Sequence, residues 1–210
     1  MSASPESKSA TQSPENVRRF AERAVKPLVF VLACGPAGWL LYGALTNAIG
    51  PNPIEYIIRY CGDWALRFLL IALAVTPVRL LSGAAIVGRL RRMLGLFAFF
   101  YVCLHILAYV GLDQFFNWSA IFADVVKRVY ITVGMAAFLT LVPMAATSTS
   151  GMMKRLGARR WRRLHRVVYF SAIAGIIHFL MMLKTGYAEP ALYGVILTAL
   201  LGIRALKKWP

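Results

Sequence analysis

The chain has 210 residues, of which 59% are hydrophobic and 15% charged, and its 24 Lys and Arg outweigh 8 Asp and Glu to give a formal net charge of +16. A water-soluble domain of this length carries more charge and fewer apolar residues, so the composition excludes an ordinary soluble enzyme. Cysteines at 34, 61 and 103 have neither paired nor metal-ligand spacing, which excludes a disulfide scaffold and a zinc module.

In chain order, residues 1–26 are rich in Ser, Ala, Pro, Glu and Gln and read as a disordered cytoplasmic tail. Arg18-Arg19-Phe20 faintly resembles a twin-arginine export signal, but the apolar stretch that follows is too long for a signal peptide. Six apolar stretches come next, at about 28–49, 64–81, 93–112, 129–146, 167–183 and 191–206. A spanning helix needs about 20 apolar residues. The second stretch contains Arg67 and the sixth is short, yet all six fit one plan. The predicted fold is all-α: a six-helix transmembrane bundle over 27–206, with tails at 1–26 and 207–210. Pro36, Pro77 and Pro143 lie in or near the ends of spans, where neighbouring helices can satisfy the freed carbonyls. Cys34 and Cys103 fall inside apolar helices and read as small packing residues, while Cys61 is expected to face the outer side alone.

The loops are expected at 50–63, 113–128 and 184–190 on the outer side, too short for an extracytoplasmic domain. The connections on the other side leave no room for an inserted flavin-reductase or nucleotide-binding domain, and no G-x-G-x-x-G or P-loop pattern occurs. Residues 145–150, Ala-Ala-Thr-Ser-Thr-Ser, read as a helix cap and turn.

The basic residues alternate between sides. Nineteen of the 24 fall in the N-terminal tail, 79–92, 154–166 and the C-terminal tail; the other side holds Arg59, Arg67, Lys127, Arg128 and Lys184, balanced by five acids. This positive-inside asymmetry is expected to place both termini in the cytoplasm, with the basic loops against anionic lipid. The charge is thus an orientation signal and not a nucleic-acid footprint. Trp39, Trp64, Trp118, Trp161, Tyr130 and Tyr187 lie near predicted boundaries and read as interfacial anchors.

His105 and His178 stand inside apolar runs, where an ionisable side chain is costly and usually functional. Their helices should run in the same direction, and each histidine is six or seven residues from the outer helix end. At ~1.5 Å rise per residue both sit ~10 Å below the outer boundary. Either alone could simply hydrogen-bond a neighbouring helix; two at one depth favour the axial ligand pair of a haem iron. His165, thirteen residues before His178 at the opposite end of the same predicted helix, lies among arginines. It reads either as a member of that cation cluster or as a further ligand. Three histidines supply one bis-histidine site with one residue left over, so the expectation is one haem b or two. Arg67 could pair with a haem propionate or snorkel to the headgroups, and snorkelling is the simpler reading.

Several motifs resemble a known family. They are Arg91-Arg92-Met93-Leu94-Gly95-Leu96 leading to Leu104-His105, Lys127-Arg128-Val129-Tyr130-Ile131-Thr132, Thr147-Ser148-Thr149, and Trp161-Arg162-Arg163-Leu164-His165 followed by His178-Phe179. Over about 63–184 the chain resembles the MsrQ (formerly YedZ) family, the haem-binding membrane subunit of the periplasmic protein-methionine-sulfoxide reductase system. That family belongs to the ferric-reductase-like transmembrane group. Departures are Val129, where Pro is expected, and the lack of Trp near Met181. The resemblance implies b-type haem and FMN, and metal-ligating roles for all three histidines. It also implies electrons taken from the quinone pool or a cytoplasmic flavin reductase. They would pass to MsrP, a periplasmic molybdenum enzyme that restores thioether from methionine sulfoxide. The chain would be an electron-transfer subunit and not the sulfoxide-reducing catalyst. Competing readings are a ferric- or quinone-linked reductase, a histidine-relay transporter, and a haem-free scaffold. The transporter reading is weakened by the lack of a predicted intramembrane Asp or Glu and of internal repeats.

Overall fold

The structure, a computed structural model, describes residues 14–83 and 85–206, with side chains described from position 24 onward except at 85–87 and 89. The helices are α1 (Pro14–Leu45), α2 (Pro53–Ser82), α3 (Ala85–Ala108), α4 (Trp118–Lys127), α5 (Val129–Ala146), α6 (Ser150–His165), α7 (Val168–Met182) and α8 (Ala188–Leu206). A π-helical turn, Tyr109–Asp113, continues α3, and no strand occurs among the described residues. Six helical segments are long and apolar enough to cross a membrane, so the all-α six-span plan holds.

Boundaries differ from the sequence reading where caps outweigh hydropathy. α1 begins at Pro14, within the segment expected to be disordered; positions 1–13 and the tail 207–210 lie outside the described residues. α2 starts eleven positions before the apolar stretch, at Pro53, because the Asn52 side chain accepts from the Glu55 N–H and Pro53 suits a first helical turn. It ends at Gly83 in the left-handed region (φ 67°), whose N–H donates to the Arg79 carbonyl. The expected outer loop 50–63 is therefore largely helix, and Cys61 is buried in α2 instead of facing outward. The loop expected at 113–128 holds the short helix α4, capped by the Asn117 side chain. Val129 is the first residue of α5, the position where Pro is most readily accepted, so a Pro-to-Val change costs little there. Thr147 and Thr149 form the expected cap and turn, Thr149 accepting from the Met152 N–H.

α2 packs along α3 and α5 along α7, and the two pairs meet through α3–α5 and α2–α7 contacts. α1 lies against α3 and α2, α8 against α7 and α2, and α4 against α5. Outward side chains are apolar: Val31 and Leu32 of α1 are 66% and 65% exposed. At ~25 cal/mol per Å² such a surface is unfavourable in water and natural in lipid.

Several polar groups inside this bundle are paired across helices, although Trp64 Nε1 and Arg204 Nε are buried without a hydrogen-bond partner among the described residues. The Tyr101 side chain is fully buried, and its hydroxyl receives the Ala37 N–H at 3.0 Å while donating to the Ala33 carbonyl at 2.8 Å. A phenol thus bridges a turn of α1 beside Pro36, which itself has no N–H to give. Arg204, counted with the basic C-terminal tail in the sequence, is instead buried. It donates to the Tyr169 hydroxyl and the Leu73 carbonyl and stacks over the Tyr169 ring at 5.3 Å. Trp64, expected as an interfacial anchor, lies in a stack running Tyr56, Tyr60, Trp64, Phe68 along α2, while Trp39 and Trp118 are exposed as expected.

Tyr101→Phe leaves a buried N–H and carbonyl without their bridge, a loss of about 1–3 kcal/mol. The expected result is a lower Tm for the detergent-solubilised protein with the helical content unchanged.

Candidate cofactor site

The two central histidines come from the two helix pairs. His105 lies on α3 and His178 on α7, and their ring centroids are 6.2 Å apart with planes at 84°. His105 Nδ1 lies 2.8 Å from the Ile58 carbonyl oxygen of α2, and His178 Nδ1 lies 2.6 Å from the Tyr130 carbonyl oxygen of α5. A carbonyl only accepts, so both Nδ1 atoms carry the proton and both Nε2 atoms keep a free lone pair. Two imidazoles on opposite sides of one metal, each nitrogen ~2.0 Å from it, place their centroids a little over ~6 Å apart. The observed separation fits that arrangement.

Both rings line a cavity of about 650 Å³, within the range of ~300–1,000 Å³ usual for cofactor sites. Its walls are amphiphilic along one axis. Asn52, Glu55, Arg59, Asp113 and Arg128 stand at the end where α2 and α5 begin, and Leu69, Ala98, Phe138 and Leu141 line the other end. Arg59 pairs with Glu55 at 2.6 Å and Arg128 with Asp124 at 3.0 Å, each one turn along the chain. The Tyr130 hydroxyl draws a further Arg128 N–H, which raises the Arg128 pKa. Asp63, expected at a loop boundary, lies within α2 and also faces this cavity. Among the described residues no group of three or more His, Cys, Asp or Glu could hold a metal ion. The site therefore suits a planar metallo-cofactor that brings its own equatorial ligands. The residues present fit a haem: two lone-pair imidazoles, an apolar floor and a polar mouth that includes two arginines.

The other candidate residues lie elsewhere. His165 does not line the cavity; it closes α6, and Arg166 and Val167 form a tight turn into α7, so the single helix expected for His165 and His178 is two. Its ring stacks on Trp161 at 3.9 Å and its Nε2 lies 3.3 Å from the Thr147 hydroxyl. Arg67 neither lines the cavity nor reaches out alone. It donates from Nε to the Tyr193 hydroxyl and from Nη2 to Glu189, both at 2.8 Å, and its guanidinium sits 5.1 Å above the Trp64 ring. Hydropathy could not reveal a partner on α8 so distant in sequence. The carbonyl acceptors at Ile58 and Tyr130 were also invisible, since every residue has a carbonyl; the interior glycines four residues later, Gly62 and Gly134, were the available signal.

Comparison with known proteins agrees with this geometry. The family model for the ferric reductase like transmembrane component matches residues 61–176. A Rhodospirillum rubrum protein described as protein-methionine-sulfoxide reductase heme-binding subunit MsrQ is 53% identical over 191 residues, covering 90% of this chain and 91% of its own length. Proteins of the same description from Herminiimonas arsenicoxydans and Caulobacter vibrioides are 48% and 42% identical, covering 88% and 87% of this chain and 86% and 87% of their own lengths. Such similarity over nearly the whole length, with the paired imidazoles in one cavity, means that the chain belongs to the MsrQ family within the ferric-reductase-like transmembrane group.

Proposed function

We propose that this chain is a b-type cytochrome of the bacterial inner membrane that carries electrons to a periplasmic methionine-sulfoxide reductase. The observation that carries the reading is the His105–His178 pair, two Nδ1-anchored imidazoles with centroids 6.2 Å apart in one cavity. A haem bound there would supply one-electron redox chemistry inside a hydrocarbon environment that admits no ionic carrier. His105 and His178 would hold it through Nε2, the nitrogen left free by the Nδ1–carbonyl contacts. Arg59 and Arg128 at the cavity mouth are the cations suited to its propionates, and the apolar floor excludes water. Arg67, already engaged by Glu189 and Tyr193, ties α2 to α8.

The charge asymmetry supports both termini in the cytoplasm, which turns the cavity mouth to the periplasm. The histidine pair then lies near the face where a soluble acceptor docks. That acceptor is the molybdenum-containing sulfoxide reductase MsrP, and the donor is the quinone pool or a cytoplasmic flavin reductase. The names of the relatives support the haem-binding role and the reductase system. FMN enters through family likeness, with the exposed arginines of α6 as a surface suited to its phosphate. His165 shares no cavity with the pair, so a second haem there would take its other ligand elsewhere or leave that position open. A ferric- or quinone-linked transmembrane reductase is the second reading, favoured by the ferric-reductase-like match. A proton-relay transporter gains Asp63 in the same cavity as the histidines, although among the described residues no discontinuous span of the kind transporters use lines it.

Purified protein should show a reducible low-spin Soret and α-band spectrum. His105→Ala and His178→Ala should each abolish it, and retention in both would defeat the ligand assignment; pyridine haemochrome and flavin extraction on one sample count the cofactors. Arg67→Gln should keep the full haem spectrum while lowering Tm, and haem loss at unchanged Tm would make Arg67 a haem contact. In cells lacking this chain, periplasmic sulfoxide reduction should collapse, whereas undiminished activity would remove the proposed acceptor and leave haem binding untouched.

A further inference from the structure

Each ligand histidine meets its neighbouring helix at the same local arrangement. The carbonyl that receives His105 Nδ1 belongs to Ile58, and four residues on stands Gly62; the carbonyl that receives His178 Nδ1 belongs to Tyr130, and four residues on stands Gly134. In an α-helix the residue at i+4 donates its own N–H to the carbonyl at i, so its side chain flanks the free lone pair of that oxygen. A Cβ at Gly62 would lie 3.0 Å from His105 Nδ1 and 3.3 Å from Cε1. At Gly134 it would lie 2.8, 3.0 and 3.2 Å from His178 Nδ1, Cε1 and Cγ. No other described glycine meets a histidine ring: Gly95, on the His105 helix, has nothing within 4 Å, and Gly175, on the His178 helix, meets only Leu66 at an ordinary 3.6 Å. Interior glycines with open space around them also occur in these spans, so what sets Gly62 and Gly134 apart is the histidine ring lying where a side chain would be.

We propose that Gly62 and Gly134 are positioning residues for the two axial ligands: the missing side chains let each imidazole lie flush on the neighbouring helix and deliver its Nδ1 proton to the carbonyl four residues back. The proposal rests on the ligand reading above. The ring edge against each glycine is the Nδ1–Cε1 edge, so Nε2 is turned away from that backbone. One bond thereby fixes tautomer and ring orientation together, and a hydrogen bond on the distal nitrogen raises the basicity of the ligating one. Gly62 and Gly134 also line the cavity, but the nearest atoms an added Cβ would meet belong to the histidine rings, so a side chain there acts first on His105 and His178.

The test compares Gly62→Ala, Gly134→Ala and Gly95→Ala in the full-length, detergent-solubilised protein, scoring only the folded monodisperse fraction. Gly95→Ala should bind haem as the unsubstituted chain does. Gly62→Ala and Gly134→Ala should lose about 10- to 100-fold in haem affinity, the usual effect of disturbing an outer-shell partner, with Gly134→Ala the more severe. Haem that remains should show an altered midpoint potential and a changed low-spin EPR anisotropy, neither of which a purely structural defect would move. Full occupancy with unchanged potential and EPR in both variants overturns the proposal and leaves the haem reading standing; an unsubstituted protein that binds no haem overturns both. If neither alanine variant folds, ¹⁵N-histidine NMR of the reduced, diamagnetic parent protein decides. Two slowly exchanging, hydrogen-bonded Nδ1 protons support the proposal, and a freely exchanging Nδ1 proton on either ligand overturns it.

Discussion

Two hydrogen bonds, from His105 Nδ1 to the Ile58 carbonyl and from His178 Nδ1 to the Tyr130 carbonyl, are the interactions on which the rest of the site depends. An imidazole set loose in an apolar cavity could rotate, switch tautomer and present either nitrogen. A carbonyl partner removes all three freedoms at once, because it accepts and never donates. Each bond also links a histidine helix to its neighbour, α3 to α2 and α7 to α5, so the same contacts that orient the rings hold the helix pairs in register. The separation of the two imidazoles is therefore a property of the packed bundle.

Other polar side chains in the spans are taken up in the same way by partners on neighbouring helices. Tyr101 closes a turn of α1 beside Pro36, Arg67 is taken up by Glu189 and Tyr193, and Arg204 is held by Tyr169 and the Leu73 carbonyl. These contacts fix α1 and α8 around the two central pairs. They also separate two kinds of cation: those consumed within the bundle, and Arg59 and Arg128 at the cavity mouth, whose acids are one turn away on the same helix. The Arg59–Glu55 pair is exposed on both sides, and such an i,i+4 pair is weak and readily exchanged, which leaves Arg59 available to an anionic group on a cofactor; Arg128 is held more firmly, by Asp124 and the Tyr130 hydroxyl.

Much of the fold could be read from the sequence because a membrane imposes a coarse pattern: six apolar runs appear as six crossing segments, and His105 and His178, placed at one depth by counting residues, do line one cavity. What escaped was set by short-range capping or by distant partners. Hydropathy located the apolar part of α2 but not the turns that Asn52 and Pro53 start ahead of it, and so Cys61 and Asp63 were placed in a loop. The aqueous connections hid α4 and α6, whose amphipathic faces lack a long apolar run. His165 seemed to share a helix with His178 because no Gly or Pro marks the turn at Arg166 and Val167. Arg67 could be placed at a depth but not given its partner, since Glu189 lies on the last helix.

His105 and His178 are proposed to bind one iron through Nε2. Pulsed EPR on the oxidised, purified protein carrying ¹⁵N-labelled histidine measures this directly. Two strongly coupled imidazole nitrogens on a single low-spin ferric centre are expected, with the strong anisotropy that near-perpendicular ring planes produce. A centre coupled to only one histidine nitrogen, or to none, would contradict it.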